Sequence, residues 1–239
     1  MCLVGLVALS DKPRPEAAQA VTQCRKAGIR VAMVTGDHPT TAGSIARMVN
    51  IVSDQYTKFD MSTFDPRDMN IKKSTNIATI TDQALIVTGS DISLLTKPAW
   101  EYILSHEELV FARTTPEQKL RIVKEFQKRA NVVAVTGDGV NDSPALRNAD
   151  VGISMAAGSD VAREAADIIL MDNNFASVVV GIQYGRLVFE NLKKVIAYVL
   201  PAGTFDEMLT ILSTVFFGLP TPLSSILMIS ISVFTDVAN

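Results

Sequence analysis

The segment Thr136-Gly137-Asp138-Gly139-Val140-Asn141-Asp142-Ser143-Pro144 follows the apolar run Val132-Val133-Ala134-Val135, which sets it where a buried strand ends. In open α/β sheets ligands gather outside the carboxyl ends of the strands, and glycines there let backbone N–H groups approach an anion. Asp138 would be aimed into that crevice. A single strand-end carboxylate suits Mg²⁺, a hard cation that takes carboxylate oxygen and keeps water and phosphate as its other ligands. Asn141 and Asp142 open the next helix. The tripeptide Gly137-Asp138-Gly139 by itself is an ordinary turn, so the weight rests on the full nine-residue string.

Up to Lys194, apolar runs of four to eight residues alternate with amphipathic segments, and this pattern predicts βαβ units and a mostly parallel, doubly wound sheet. Strands are predicted over residues 3–8, 30–34, 84–87, 109–112, 132–135, 151–154 and 168–170, with helices in the gaps. Pro15 starts a helix carrying Ala17, Val21 and Cys24 on one face, and Pro116 starts another with Leu120, Val123 and Phe126. Residues 53–81 are polar and aperiodic, and read as a surface insertion without chemistry of its own.

The 239 residues include 48% apolar ones, ample for a buried core. A net charge of −3, from 22 basic and 25 acidic residues, gives no pull toward nucleic acid. Cys2 and Cys24 set up no disulfide framework and read as reduced, cytosolic thiols. Met1 leads into an apolar run without a basic flank, so a strand is a better reading there than a signal peptide.

The composition changes near residue 195. Residues 195–217 are almost wholly apolar, and a helix of those 23 residues would span about 34 Å, enough to cross a bilayer. The turn Gly218-Leu219-Pro220-Thr221-Pro222 follows, and residues 223–239 begin a second apolar helix. Arg186, Lys193 and Lys194 precede the first span and no basic residue follows it, so the positive-inside rule puts residues 1–194 in the cytosol. Asp206 and Glu207 sit near mid-span, where a bare charge costs about 2.5–3.5 kcal/mol on insertion scales. They need an ion or a partner, and Asp236, with Ser232 one turn earlier on the same face, offers opposing oxygens. Protonated carboxyls bonded between helices are the alternative.

The string Thr136 to Leu146 closely resembles the hinge segment of P-type cation-transporting ATPases. Met33-Val34-Thr35-Gly36-Asp37 is similar to that family's TGD segment, Phe111-Ala112-Arg113 with Lys119 to its FAR…K segment, and Asp11-Lys12-Pro13-Arg14 to its DPPR segment. Order and spacing agree, and the similarity runs on through Gly158-Ser159-Asp160, Asp172-Asn173-Asn174-Phe175 and Asn191-Leu192-Lys193-Lys194. It is strongest toward the type II sodium/potassium-like pumps. The resemblance implies a haloacid-dehalogenase-like Rossmannoid domain, with ATP and Mg²⁺ as cofactors. In that reading residues 1–180 are the distal part of the phosphorylation domain, 181–194 a stalk helix, and 195–239 a transmembrane hairpin. Lys119 would be the phosphate-facing cation and Asp142 would orient it. Thr35, Gly36 and Asn141 would donate to phosphate oxygens, and Asp138 would hold Mg²⁺. Asp37 and Arg113 would lie at the nucleotide end, and Asp206, Asp236, Ser232 and Glu207 at the transported ion.

That family forms its aspartyl phosphate on a DKTGT segment, which this sequence does not contain. The resemblance therefore implies a piece of a pump that is inactive alone. Its remaining partners would be a monovalent cation (Na⁺, K⁺ or H⁺), membrane lipid of the plasma membrane, the rest of the pump and a β-like subunit. Ser232, Ala202 and Gly203 stand where the family carries further polar ligands, so the ion stays open. Two other readings stand beside it: an inert pseudo-pump, and a soluble phosphatase with the same Thr, Lys and Asp signature.

Overall fold

The computed structural model describes residues 12–53, 56–59, 84–172 and 174–218, with isolated positions from 220 to 233. The chain divides into two compact units, Met1–Val180 and Gly181–Asn239. The predicted strand at 3–8 and the Asp11 position lie outside the described residues.

The first unit opens with α1 (Pro15–Lys26), which has proline in its first turn and Arg25 and Lys26 in its last, a charge order that suits the helix dipole. Gly28, at φ +75°, ends it in the left-handed region that glycine enters without strain. There follow β1 (Ala32–Val34), α2 (Pro39–Met48), β2 (Tyr56–Lys58), β3 (Ala84–Thr88), α3 (Gly89–Leu94), α4 (Lys97–Leu104), β4 (Leu109–Ala112) and α5 (Pro116–Gln127). Next are β5 (Ala134–Gly137), a 3-10 turn (Val140–Asp142), α6 (Ser143–Asn148), β6 (Val151–Met155), α7 (Asp160–Ala165) and β7 (Ile168–Leu170).

Every ladder is parallel, as the sequence predicts. Alternate residues of the central strands feed two cores, which is why those strands are apolar throughout. Leu85, Val87, Leu109 and Phe111 pack with Ile92, Trp100, Ile103 and Ile122 of α3, α4 and α5. Ala84, Ile86, Val110 and Ala112 pack with Val21, Ala42 and Ala46 of α1 and α2. Helices therefore cover both faces, and the doubly wound reading holds.

The single sheet does not. The described strands form one sheet in the order β1-β4-β3-β2 and another in the order β5-β6-β7. The stretch read as a structureless insertion also needs correcting. Its residues 56–58 pair with Ala84, Leu85 and Ile86 as an edge strand, and Phe59 is buried in the core beyond them. A strand that pairs on one side and is polar gives no apolar run to detect. Strand β5 starts two residues later than predicted, because Val132 is 84% exposed and the Val133 N–H is held by Asp150 Oδ2 at 2.8 Å.

Residues 176 to 217 form one helix, α8 (Ala176–Phe217), 42 residues long with Pro201 inside it, which runs through residues 181–194 and 195–217 without a break. At ~1.5 Å per residue it is about 63 Å long. It ends where the turn is expected, with Gly218 at φ +61°. Among the described residues no helix is long and apolar enough to cross a membrane. The side chains of Leu200, residues 202–207 and Thr210 fall outside that description, as does most of the second predicted arm.

At the amino ends of the strands, Glu108 is 7% exposed and clamps three elements. It accepts from Arg25 Nη2 at 2.7 Å, the Ser53 N–H at 2.7 Å and Ser53 Oγ at 2.9 Å. Burial pushes the carboxyl's pKa up, but these donors outweigh it and hold the group below the usual carboxylate range. A carboxyl depressed by folding stabilises the protein above its unfolded pKa and loses that contribution as pH falls through the folded value. Glu108→Gln should therefore destabilise the chain at pH 7. The gap to wild type should close as pH drops below about 4 in urea titrations. A gap constant from pH 7 to pH 3 would remove the charge from this account.

Candidate active site

The loop after β1 carries Thr35, Gly36 and Asp37. Thr35 N–H continues the sheet by donating to Phe111 O at 2.9 Å, and Asp37 N–H turns back to Thr35 Oγ1 at 3.1 Å. The loop after β4 is tied to it. Thr114 gives both its N–H and its hydroxyl to Thr35 O at 3.0 Å, and Arg113 N–H reaches Asp37 O at 2.9 Å. Arg113 sits at φ +52°, a left-handed position that a non-glycine residue holds only when its surroundings fix it. Thr35, Gly36, Asp37 and Arg113 are thus brought to one place by main-chain bonds, at the carboxyl ends of two adjacent parallel strands.

Strand β5 delivers the second group. Asp138 follows its last residue and is exposed, with its backbone oxygen taking Ser159 N–H at 2.8 Å. Gly158 permits that approach: a Cβ there would lie 2.9 Å from both Met155 O and Ser154 Oγ. The chain then turns through Val140–Asp142, with Asp142 N–H on Gly139 O at 3.1 Å and Asn141 exposed. Gly137 leaves room for the Asp142 side chain, since a Cβ on it would stand 2.7 Å from Asp142 Cβ.

Lys119 joins the two groups. It lies in the first turn of α5, whose Thr115 N-cap forms a reciprocal capping box with Gln118. Its Nζ donates to Asp142 Oδ1 at 2.6 Å, and the two side chains are only 15% and 21% exposed. Thr114, bound to the β1 loop, is therefore only five positions from a lysine bound to the β5 loop. Lys119 and Asp142, both singled out in the sequence, are thus in direct contact.

Among the described residues no group of three or more His, Cys, Asp or Glu side chains converges to hold a metal. Asp138, exposed at a strand end, instead offers a single carboxylate. That donor set fits a hard ion such as Mg²⁺ that retains water and takes phosphate oxygens, and does not fit a closed protein cage. Asp206 and Glu207 fall within α8, but their side chains, like Ser232 and Asp236, lie outside the described residues.

Thr114 and Ser159 hold the two loops in place, a part that sequence reasoning assigns to neither. Both act on backbone carbonyls, and such bonds leave no pattern in residue spacing. Gly137→Ala tests the packing of this corner: the added methyl must push Asp142 away from Lys119. A loss of about 1–3 kcal/mol is expected in denaturant unfolding. An unchanged midpoint would mean that the corner yields freely.

A family profile described as haloacid dehalogenase-like hydrolase matches residues 2–150. The sodium/potassium-transporting ATPase subunit alpha-2 of Bos taurus is 47% identical over 240 residues, covering 99% of this chain. Its Homo sapiens counterpart is 46% identical over 248 residues, and the potassium-transporting ATPase alpha chain 2 of Cavia porcellus 46% over 244. The chain spans 23% of the length of each of these relatives. With motif order, helix-covered parallel strands and sequence identity in agreement, the chain belongs to the haloacid dehalogenase-like hydrolases and, within them, to the P-type ATPases.

Proposed function

We propose that the chain is part of an ATP-driven cation pump of the sodium/potassium-like class. It supplies the distal part of the phosphorylation domain and, beyond residue 194, a membrane hairpin. The observation that carries this reading is the 2.6 Å contact between Lys119 and Asp142 beside the loop that bears Asp138. Phosphoryl transfer spreads negative charge over equatorial oxygens, so a fixed ammonium group, backbone donors and a metal-holding carboxylate are what it requires.

In this reading Lys119 neutralises charge on the transferring group, and Asp142 keeps the ammonium from swinging into solvent. Thr35, Gly36 and Asn141 donate to phosphate oxygens, while Asp37 and Arg113 face the nucleotide. Asp138 would hold Mg²⁺, which when bound supplies further charge neutralisation. The nucleophilic aspartate would come from elsewhere in the longer protein, because no DKTGT segment occurs here. Strands β1 and β5 each end in one of the two site loops, and among the described residues each pairs on one side only. That leaves an edge for a strand bearing the nucleophile.

Residues 195–217 and the turn at Gly218 support the hairpin, with the transported ion held by Asp206 and Asp236 and secondarily by Glu207 and Ser232. The partners would be a monovalent cation, membrane lipid and a β-like subunit.

Two experiments on the longer protein test the reading. Asp138→Asn should lower phosphoenzyme formation by orders of magnitude. A normal rate with unchanged Mg²⁺ dependence would refute the metal assignment. Asp206→Asn and Asp236→Asn should each weaken ion-stimulated phosphorylation or dephosphorylation while nucleotide binding persists. If both variants keep wild-type activation by every cation tried, the carboxyls are structural.

A further inference from the structure

The amide of Gln118 does more than cap a helix. Its Oε1 accepts the Thr115 N–H at 3.0 Å, which completes the capping box. Its Nε2 crosses to another loop, donating to Gly89 O at 2.7 Å and Ser93 Oγ at 3.0 Å. Gly89 opens α3 at the carboxyl end of β3, and no side chain fits there. A Cβ would stand 2.1 Å from Arg113 O and 2.7 Å from Gln118 Oε1. Two strand-end segments, the one after β3 and the one after β4, thus meet around one side-chain amide. The residue next to it is Lys119, and the carbonyl pressed against Gly89 belongs to Arg113, whose N–H binds Asp37 O.

We infer that Gln118, seated on Gly89, is a positioning residue that sets the start of α5 so that Lys119 meets Asp142 and Arg113 stays against Asp37. The inference rests on the phosphoryl-site reading for its catalytic meaning, though the geometry it asserts stands by itself. A lysine ammonium on a flexible four-carbon stem is held by its partner only while the helix start is fixed. A shift of about 1 Å at Lys119 Cα would part a charge-assisted hydrogen bond of this length. A plain capping box would need only the Oε1 half of the amide.

Gln118→Glu separates the two roles. Glutamate keeps the acceptor and hence the box, but has no donor for Gly89 O and sets a carboxylate oxygen against that carbonyl. The experiment uses the 239-residue chain in detergent, with lysine side chains labelled with ¹⁵N and the Lys119 ammonium resonance assigned through its loss in Lys119→Arg. The resonance should lose its slow exchange or move in Gln118→Glu, as it does in Asp142→Asn. It should stay in place in Gln127→Ala, which removes only the bond from Gln127 Nε2 to Asn148 O at the far end of α5. A resonance untouched by Gln118→Glu overturns the inference, and so does an equal change in Gln127→Ala, which would make the effect general helix loosening. Inorganic phosphate with Mg²⁺, followed by phosphorus line width, addresses the other reading. If Lys119→Ala leaves phosphate binding unchanged while Gln118→Glu still moves the ammonium signal, the latch stands and the phosphoryl site fails. If Lys119→Ala abolishes binding but Gln118→Glu leaves the signal alone, the latch fails.

Discussion

The bond from Lys119 Nζ to Asp142 Oδ1 joins structures that the backbone leaves separate. Lys119 stands on α5, whose Ile122 is buried in the core of the four-stranded sheet. Asp142 ends the turn between β5 and α6, in the three-stranded sheet. Hydrogen bonds to charged groups contribute roughly 1.5–3 kcal/mol net, and the sum is reduced where both charges are partly desolvated. A pair of that strength cannot assemble two sheets. It can record whether they are correctly placed, because its length depends on where α5 starts and on how closely Asp142 packs over Gly137. The lysine in turn holds Asp142 beside the loop from which Asp138 projects.

The two ends of the strands treat charge in opposite ways. At the amino ends, Glu108 is buried and its oxygens take three hydrogen bonds from Arg25 and Ser53, an arrangement that fixes structure and leaves little for a ligand. At the carboxyl ends, Asp138 is exposed while its backbone is held by Ser159. The main chain is ordered there and the carboxylate is left open. Preorganisation of this kind spares a ligand the loss of loop entropy on binding.

The elements most legible in the sequence are those with apolar runs on both faces. Leu109–Ala112, framed by Glu108 and Arg113, and Ile168–Leu170, which starts directly after Asp167, match their predicted bounds. Tyr56–Lys58 was illegible, being short, polar and apolar-patterned on neither face. Periodicity also says nothing about which strand pairs with which, so the division into two sheets could not be read. In the site, Lys119, Asp142, Thr35 and Asp138 announce themselves by residue type and motif. Thr114, Ser159, Gly89 and Gln118 act through carbonyls and close approach, and any polar or small residue looks alike on paper.

Among the described residues, β1 and β5 each leave one flank without a neighbouring strand. Both strands have one row of N–H and C=O groups without a ladder partner among the described residues, and next to β5 stands Val132 at 84% exposure. Open strand edges are templates for addition of another strand. With a net charge of only −3, copies of this chain repel one another weakly. Edge-to-edge self-association then becomes a matter of concentration. A segment laid along either edge would supply the missing ladder partner and remove that template.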